Sequence, residues 1–216
     1  MPSYYLSILL NHSIIIPAAV GIFRFRQINN SYYPFLFTIW LGLANESLSL
    51  ALILSNRTNV VNANIYVLLE LLIILYQFYK WQLLTSEKLY GWAALGALIW
   101  IADNLIINNI TGNNSLFRVV YSFLIIFLSI QQVSKMLVFD YGNHIKNATF
   151  IICLSFLLFY TCKGYIEAFN VFHTGVPHAF LRRLWITLNF INFITNMLYT
   201  LAIICMPKTL EFTFQY

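Results

Sequence analysis

Along this chain, long apolar runs alternate with short polar breaks. Seven runs lie near residues 4–23, 33–55, 62–80, 89–108, 116–135, 148–172 and 181–206. Each is long enough to cross about 30 Å of hydrocarbon as a helix rising about 1.5 Å per residue. The breaks are polar: Arg24 to Asn30, Ser55 to Asn59, Trp81 to Lys88, the asparagine-rich Asn108 to Ser115, Asp140 to Asn147, and His173 to His178. Such short connections make consecutive helices antiparallel neighbours. The pattern predicts an all-α polytopic membrane protein, a seven-transmembrane-helix bundle formed by one domain over residues 1–216.

Composition strengthens this reading. Hydrophobic residues make up 60% of the 216 positions and charged residues 9%, against about 25% charged in soluble domains. The N-terminal run lacks a basic leader and is interrupted by Asn11, His12 and Ser13, so it reads as a first span rather than a cleaved signal peptide. Cys153, Cys162 and Cys205 all lie in apolar runs with no CxxC spacing, which argues against a disulfide framework or a zinc site.

The net charge of +5 comes from scattered basic residues rather than a basic stripe, so nucleic acid is not an expected partner. Lys and Arg concentrate on the cytoplasmic side of membrane proteins. One side carries Arg24, Arg26, Lys80, Lys88, Lys135, Lys146 and Lys208; the other carries Arg57, Arg118, Arg182 and Arg183. The count of seven against four predicts an outside N-terminus and a cytoplasmic C-terminus. The expected location is the plasma (inner) membrane.

Charged residues inside the apolar runs are the candidate chemistry. A charge at the centre of a bilayer costs roughly 2.5 to 3.5 kcal/mol on insertion scales, so such groups face a bundle interior and take partners. Lys163 and Glu167 lie four apart in one run, on one helical face with Asn170, and read as an intrahelical pair. Glu46, Glu70 and Asp103 add three acids from other runs. One deep lysine does not neutralise four carboxylates, so the rest are expected to be protonated, wet, or paired with Arg57, Arg118, Arg182 or a bound cation. Asn189, Asn192 and Asn196 form a stripe with Trp185 and Tyr199, readable as interhelical glue or as a binding surface. Tyr66, Glu70 and Gln77 repeat at helical spacing, as do Arg118, Ser122, Ser129 and Gln132. These faces predict one outward-facing pocket lined by Glu46, Glu70, Asp103, Lys163, Glu167, Asn189, Asn192 and Asn196. His12, a turn before Pro17, reads as a helix-packing histidine near a bend.

No GxSxG, SxxK or Walker-type loop occurs, so no enzyme activity or cofactor is expected. HExxH, HxxxH and ExxH pairs are also absent, and no metal is expected. The topology resembles that of seven-helix receptors in architecture, without an Asp/Glu-Arg-Tyr or Asn-Pro-x-x-Tyr motif. The expected function is a sensor or receptor-like protein that binds a small ligand or cation. Its output would pass through a partner protein, since only about nine residues follow Pro207. The alternative is a small secondary transporter or proton-coupled carrier that uses the intramembrane acids and Lys163. A membrane hydrolase is the weakest reading.

Overall fold

The structure, a computed structural model, describes residues 2–112, 114–139, 146–172 and 177–208. Much of the break from Asp140 to Asn147, the turn beginning at His173 and the tail beyond Lys208 lie outside the described residues. Among the described residues the elements are helical and no strand forms. Seven helices are long and apolar enough to cross a membrane: Leu6–Gln27, Asn30–Leu54, Val60–Lys80, Ser86–Ile107, Ser115–Val138, Ala148–Phe172 and Ala179–Cys205. They are called spans one to seven below.

Several ends differ from the apolar runs because hydrophobicity does not register a polar first or last turn. Span four begins at Ser86, where Thr85 accepts a hydrogen bond from the Lys88 amide, an N-cap that lets Glu87 and Lys88 join the helix. Span five continues past Lys135, whose Nζ donates to the Gln82 carbonyl at 2.9 Å. Span one continues through Arg24, whose guanidinium donates to the Ile203 and Ile204 carbonyls at the end of span seven. A cation there satisfies carbonyls that have no partner within their own helix.

Span one is interrupted by a 3₁₀ turn at His12–Ile14. The cause is Pro17, which has no N–H for the Ser13 carbonyl and whose ring crowds it. The tighter turn lets the Ile15 amide bond the His12 and Ser13 carbonyls instead. Span four ends in a π-helical segment, Ala102–Ile107. Its wider turn brings the consecutive residues Asp103 and Asn104 inside together, at 0% and 1% exposure.

The spans form a closed ring in which spans five and six, and six and seven, pack most extensively, and span seven returns to pack along span one. Span six is the most enclosed and span four the most peripheral. Gly164 lets spans five and six approach: a Cβ there would meet the Ser122 Cβ at 3.1 Å. The core is aromatic toward one end, with Phe35, Phe78, Phe156, Tyr160 and Tyr199 in edge-on or tilted contact. Large apolar side chains such as Phe23, Leu54, Leu98 and Ile106 point outward.

Candidate functional site

The ionisable side chains of the interior gather in the half of the bundle that carries the loop Asn108–Ser115. Arg118 stands in the first turn of span five, and its Nη1 donates to Glu167 Oε1 at 3.2 Å. Its Nη2 donates to Asn64 Oδ1 at 3.0 Å. The other Glu167 oxygen accepts from Ser115 Oγ at 2.6 Å and Asn170 Nδ2 at 3.1 Å. Glu167 is therefore buried with a full set of donors, the arrangement that makes an interior carboxylate tolerable.

Asn64 carries the network into the loop. Its Nδ2 donates to the Ile110 and Gly112 carbonyls, while its own carbonyl accepts from Trp100 Nε1. Asn114 donates to Asn104 Oδ1 and to the Asn109 carbonyl. Asp103 accepts from Asn108 Nδ2 and the Phe117 amide, both at 2.8 Å. It thereby caps the start of span five from span four, so its carboxylate holds the loop and helix end.

Deeper in the same half, Glu70 accepts from Tyr66 Oη at 2.6 Å and Tyr121 Oη at 3.1 Å, and lies 3.7 Å from Lys163 Nζ. The ammonium sits 5.1, 5.4 and 5.7 Å from the ring centroids of Tyr121, Phe159 and Tyr160. The negative faces of the rings add attraction for a cation shielded from water. The expected pair of Lys163 with Glu167 is not what forms: Lys163 joins Glu70 of span three, and Glu167 joins Arg118 of span five. Helical spacing places residues 163 and 167 on one face, but the neighbouring helices supply stronger partners. Lys163 is also not the only deep cation, because the Arg118 side chain is 11% exposed. Removing Arg118 from the loop count on its side leaves Arg57, Arg182 and Arg183.

The asparagine stripe faces span one. Asn189 Nδ2 donates to Ser7 Oγ at 2.9 Å, Asn192 Nδ2 to Asn11 Oδ1 at 3.3 Å, and Asn196 Nδ2 to Ser13 Oγ at 2.8 Å. These bonds close the ring between its first and last members, the packing role polar residues take where apolar burial cannot distinguish one helix face from another.

A cavity of about 370 Å³ opens in this half, walled by Ser7, Asn11 and His12 of span one, Asn45, Glu46 and Ser49 of span two, Asn59, Arg118, and Trp185. Of the acids expected to share one pocket, Glu46 lines it; Glu70, Asp103 and Glu167, with Lys163, belong to the adjoining networks. Asn189, Asn192 and Asn196 stand behind its span-one wall. Among the described residues, Glu46 has no hydrogen-bond partner, although His12 and Lys163 act on it electrostatically. His12 spends Nδ1 on the Ile8 carbonyl at 2.9 Å. Arg118 Nε is buried without a hydrogen-bond partner among the described residues. Asn62 holds the Asn45 and Ser49 side chains in place with donated bonds of 2.8 and 3.2 Å.

A larger groove of about 700 Å³ lies between spans two and three, lined by Phe37, Trp40, Leu41, Ile73 and Lys80. It is an apolar furrow on the outside of the bundle, with Phe37 half exposed, and it lacks the convergent polar groups of a small-molecule site. Among the described residues no three His, Cys, Asp or Glu side chains are grouped so as to hold a metal ion.

The charge count placed Arg118 among the loop residues although its helical spacing put it on an inner face, and spacing did not mark Asn45, Ser49 or Asn64. The signal for Arg118 was its register with Ser122, Ser129 and Gln132, which puts the cation on the inner face of span five. Comparison with protein-family models, curated proteins and solved structures gave no match to this chain.

Proposed function

We propose that the chain is an integral membrane sensor, receptor-like in plan, that takes a small ligand in the cavity beside Glu46 and signals through a partner protein. The N-terminus and the asparagine loop lie outside, the C-terminus lies in the cytoplasm, and the membrane is the plasma (inner) membrane. The reading rests on one observation. Glu46 lines a cavity of mixed polar and apolar wall and has no hydrogen bond among the described residues, whereas Asp103, Glu167 and Glu70 are each held by two or more donors. A carboxylate kept at the cost of desolvation and left without a donor is the group a ligand would complete.

Arg118 supplies the route from cavity to scaffold. It reaches the cavity while tied to Glu167 of span six and Asn64 of span three. A ligand that draws on the guanidinium competes with these bonds and shifts the relative stability of two arrangements of spans three, five and six. No catalytic role is assigned.

The carrier reading is supported by a different observation, the charged pair of Glu70 and Lys163 farther along the same spans, where exchange of partners would move charge through the bundle. Two measurements separate the readings. Under the sensor reading, purified protein in liposomes gives no ion or solute flux, and a partner protein is retained when the full chain is isolated from its native membrane. Flux that is lost in Lys163→Met would overturn the sensor in favour of the carrier. Reporter fusions at Gly112 and Tyr216 should fall on opposite sides of the membrane, with Tyr216 inside.

A further inference from the structure

Resting on the ligand-binding reading above, we propose that the ligand is a small zwitterion of the α-amino-acid class, its ammonium on Glu46 and its carboxylate on the Arg118 guanidinium. Two groups of opposite charge, Glu46 and Arg118, line the same cavity. The Glu46 carboxylate has no donor among the described residues. The Arg118 Nε–H is buried without an acceptor among the described residues, while the Nη1 and Nη2 groups of the same guanidinium are engaged by Glu167 and Asn64. A buried donor with no acceptor is rare enough in native proteins to need an explanation.

A ligand with one charge would satisfy one group and leave the other desolvated. A neutral ligand would bring no charge to the Glu46 carboxylate, and would leave the Arg118 guanidinium with Glu167 alone. A zwitterion satisfies both without bringing net charge into an apolar bundle, which matters where an uncompensated charge is expensive. The volume of about 370 Å³ lies at the small end of the range for small-molecule sites, roughly 300 to 1,000 Å³. Asn45 and Ser49, held by Asn62, offer neutral polar contacts near Glu46. Leu50, Ile53 and Trp185 provide an apolar wall for a ligand side chain.

The test uses the full chain purified in detergent. Thermal unfolding and titration calorimetry are run against the proteinogenic α-amino acids one by one. Each compound that binds is compared with its N-acetyl form, which lacks the ammonium, and its amide, which lacks the carboxylate. The expected result is that at least one free amino acid raises the unfolding midpoint, and that its two derivatives bind roughly 10- to 150-fold more weakly, the range set by loss of one hydrogen bond to a charged group. Glu46→Gln should weaken the free amino acid by a similar factor while leaving the unliganded midpoint nearly unchanged. Because Arg118 also supports the fold, Arg118→Lys is read only as the ratio of free acid to amide affinity, which should fall toward one.

Equal binding of the free acid and its amide, lost in Glu46→Gln, would overturn the zwitterion and keep the cavity as an amine site. Binding by neutral polyols that is indifferent to Glu46→Gln would overturn it as well. No binding by amino acids, simple amines, carboxylates or polyols would overturn both this inference and the ligand-binding reading beneath it.

Discussion

At the end of the bundle carrying Arg24, Lys80 and Lys208, Gln77 accepts from the Phe35 amide at 2.7 Å and donates to the Ser31 carbonyl at 2.7 Å, neutral bonds that seat span two on span three. Arg24 caps span seven, and the Asn29 amide donates to the Pro207 carbonyl at 3.1 Å. At the asparagine-loop end, by contrast, Arg118, Glu167, Glu70 and Lys163 carry full charges between helices. The Gln77 bonds are neutral and need only a donor and an acceptor, and the Arg24 cation meets backbone carbonyls rather than a buried counter-ion. Buried ions need exact partners, and removing one leaves the other stranded, which costs more than the pair contributes. The basic end is thus built to close helix ends, while the asparagine-loop end holds charges whose partners can be exchanged.

Mutations at the two ends should differ in size. The largest loss is expected for Arg118→Met, about 3 to 5 kcal/mol, because Glu167 stays buried with its counter-ion gone. Adding Glu167→Gln should restore much of it, as measured by reversible unfolding in detergent. An equally unstable double mutant would show that the helix contacts of Arg118, and not its charge, hold this end together.

Lys163→Met should cost less than Arg118→Met, because Lys163 stands 3.7 Å from Glu70, whereas Arg118 donates to Glu167 at 3.2 Å and also to Asn64 at 3.0 Å. Recovery should come with Glu70→Gln rather than Glu167→Gln. Rescue by Glu167→Gln alone would contradict the pairing described above.

At the opposite end, Gln77→Leu should destabilise by about 1 to 3 kcal/mol, the cost of leaving buried polar groups unpaired. Double-mutant cycles with Arg118→Met should be additive, since the sites lie in different halves of the bundle and share no partner. Strong coupling would erase the distinction between the two ends.

The smallest effect is expected at Gln82, whose φ of 55° terminates span three in a left-handed cap, with the Leu83 amide bonded to the Phe78 carbonyl at 3.0 Å. Glycine pays no Cβ penalty there, so Gln82→Gly should stabilise by roughly 0.5 to 1 kcal/mol. A loss instead would show that the Gln82 side chain, rather than its backbone, secures this end.

How much was legible in advance varied with the range of the interaction involved. The seven spans follow from runs of apolar residues, because each helix satisfies its own backbone and its length is set locally. The inward faces of spans three and five were visible as Tyr66, Glu70 and Gln77, and as Arg118, Ser122, Ser129 and Gln132. The contact of Asn189, Asn192 and Asn196 with span one was visible only as a stripe that needed some partner. The choice of counter-ion was not visible. Lys163 has Glu167 within reach on its own helix, yet Glu70 and Arg118 enter from other spans and divide the charges between them.

The chain alone thus determined the number of helices, their approximate ends and which faces are polar, since these depend on residues within a few turns of one another. Tertiary structure decided which acid each cation meets, that Asp103 caps span five instead of facing a cavity, and that Glu46 stands there without a donor among the described residues. Those outcomes depend on how helices are rotated and how closely they approach, as where Gly164 admits Ser122. Packing sets both across the whole ring, and no local pattern encodes them.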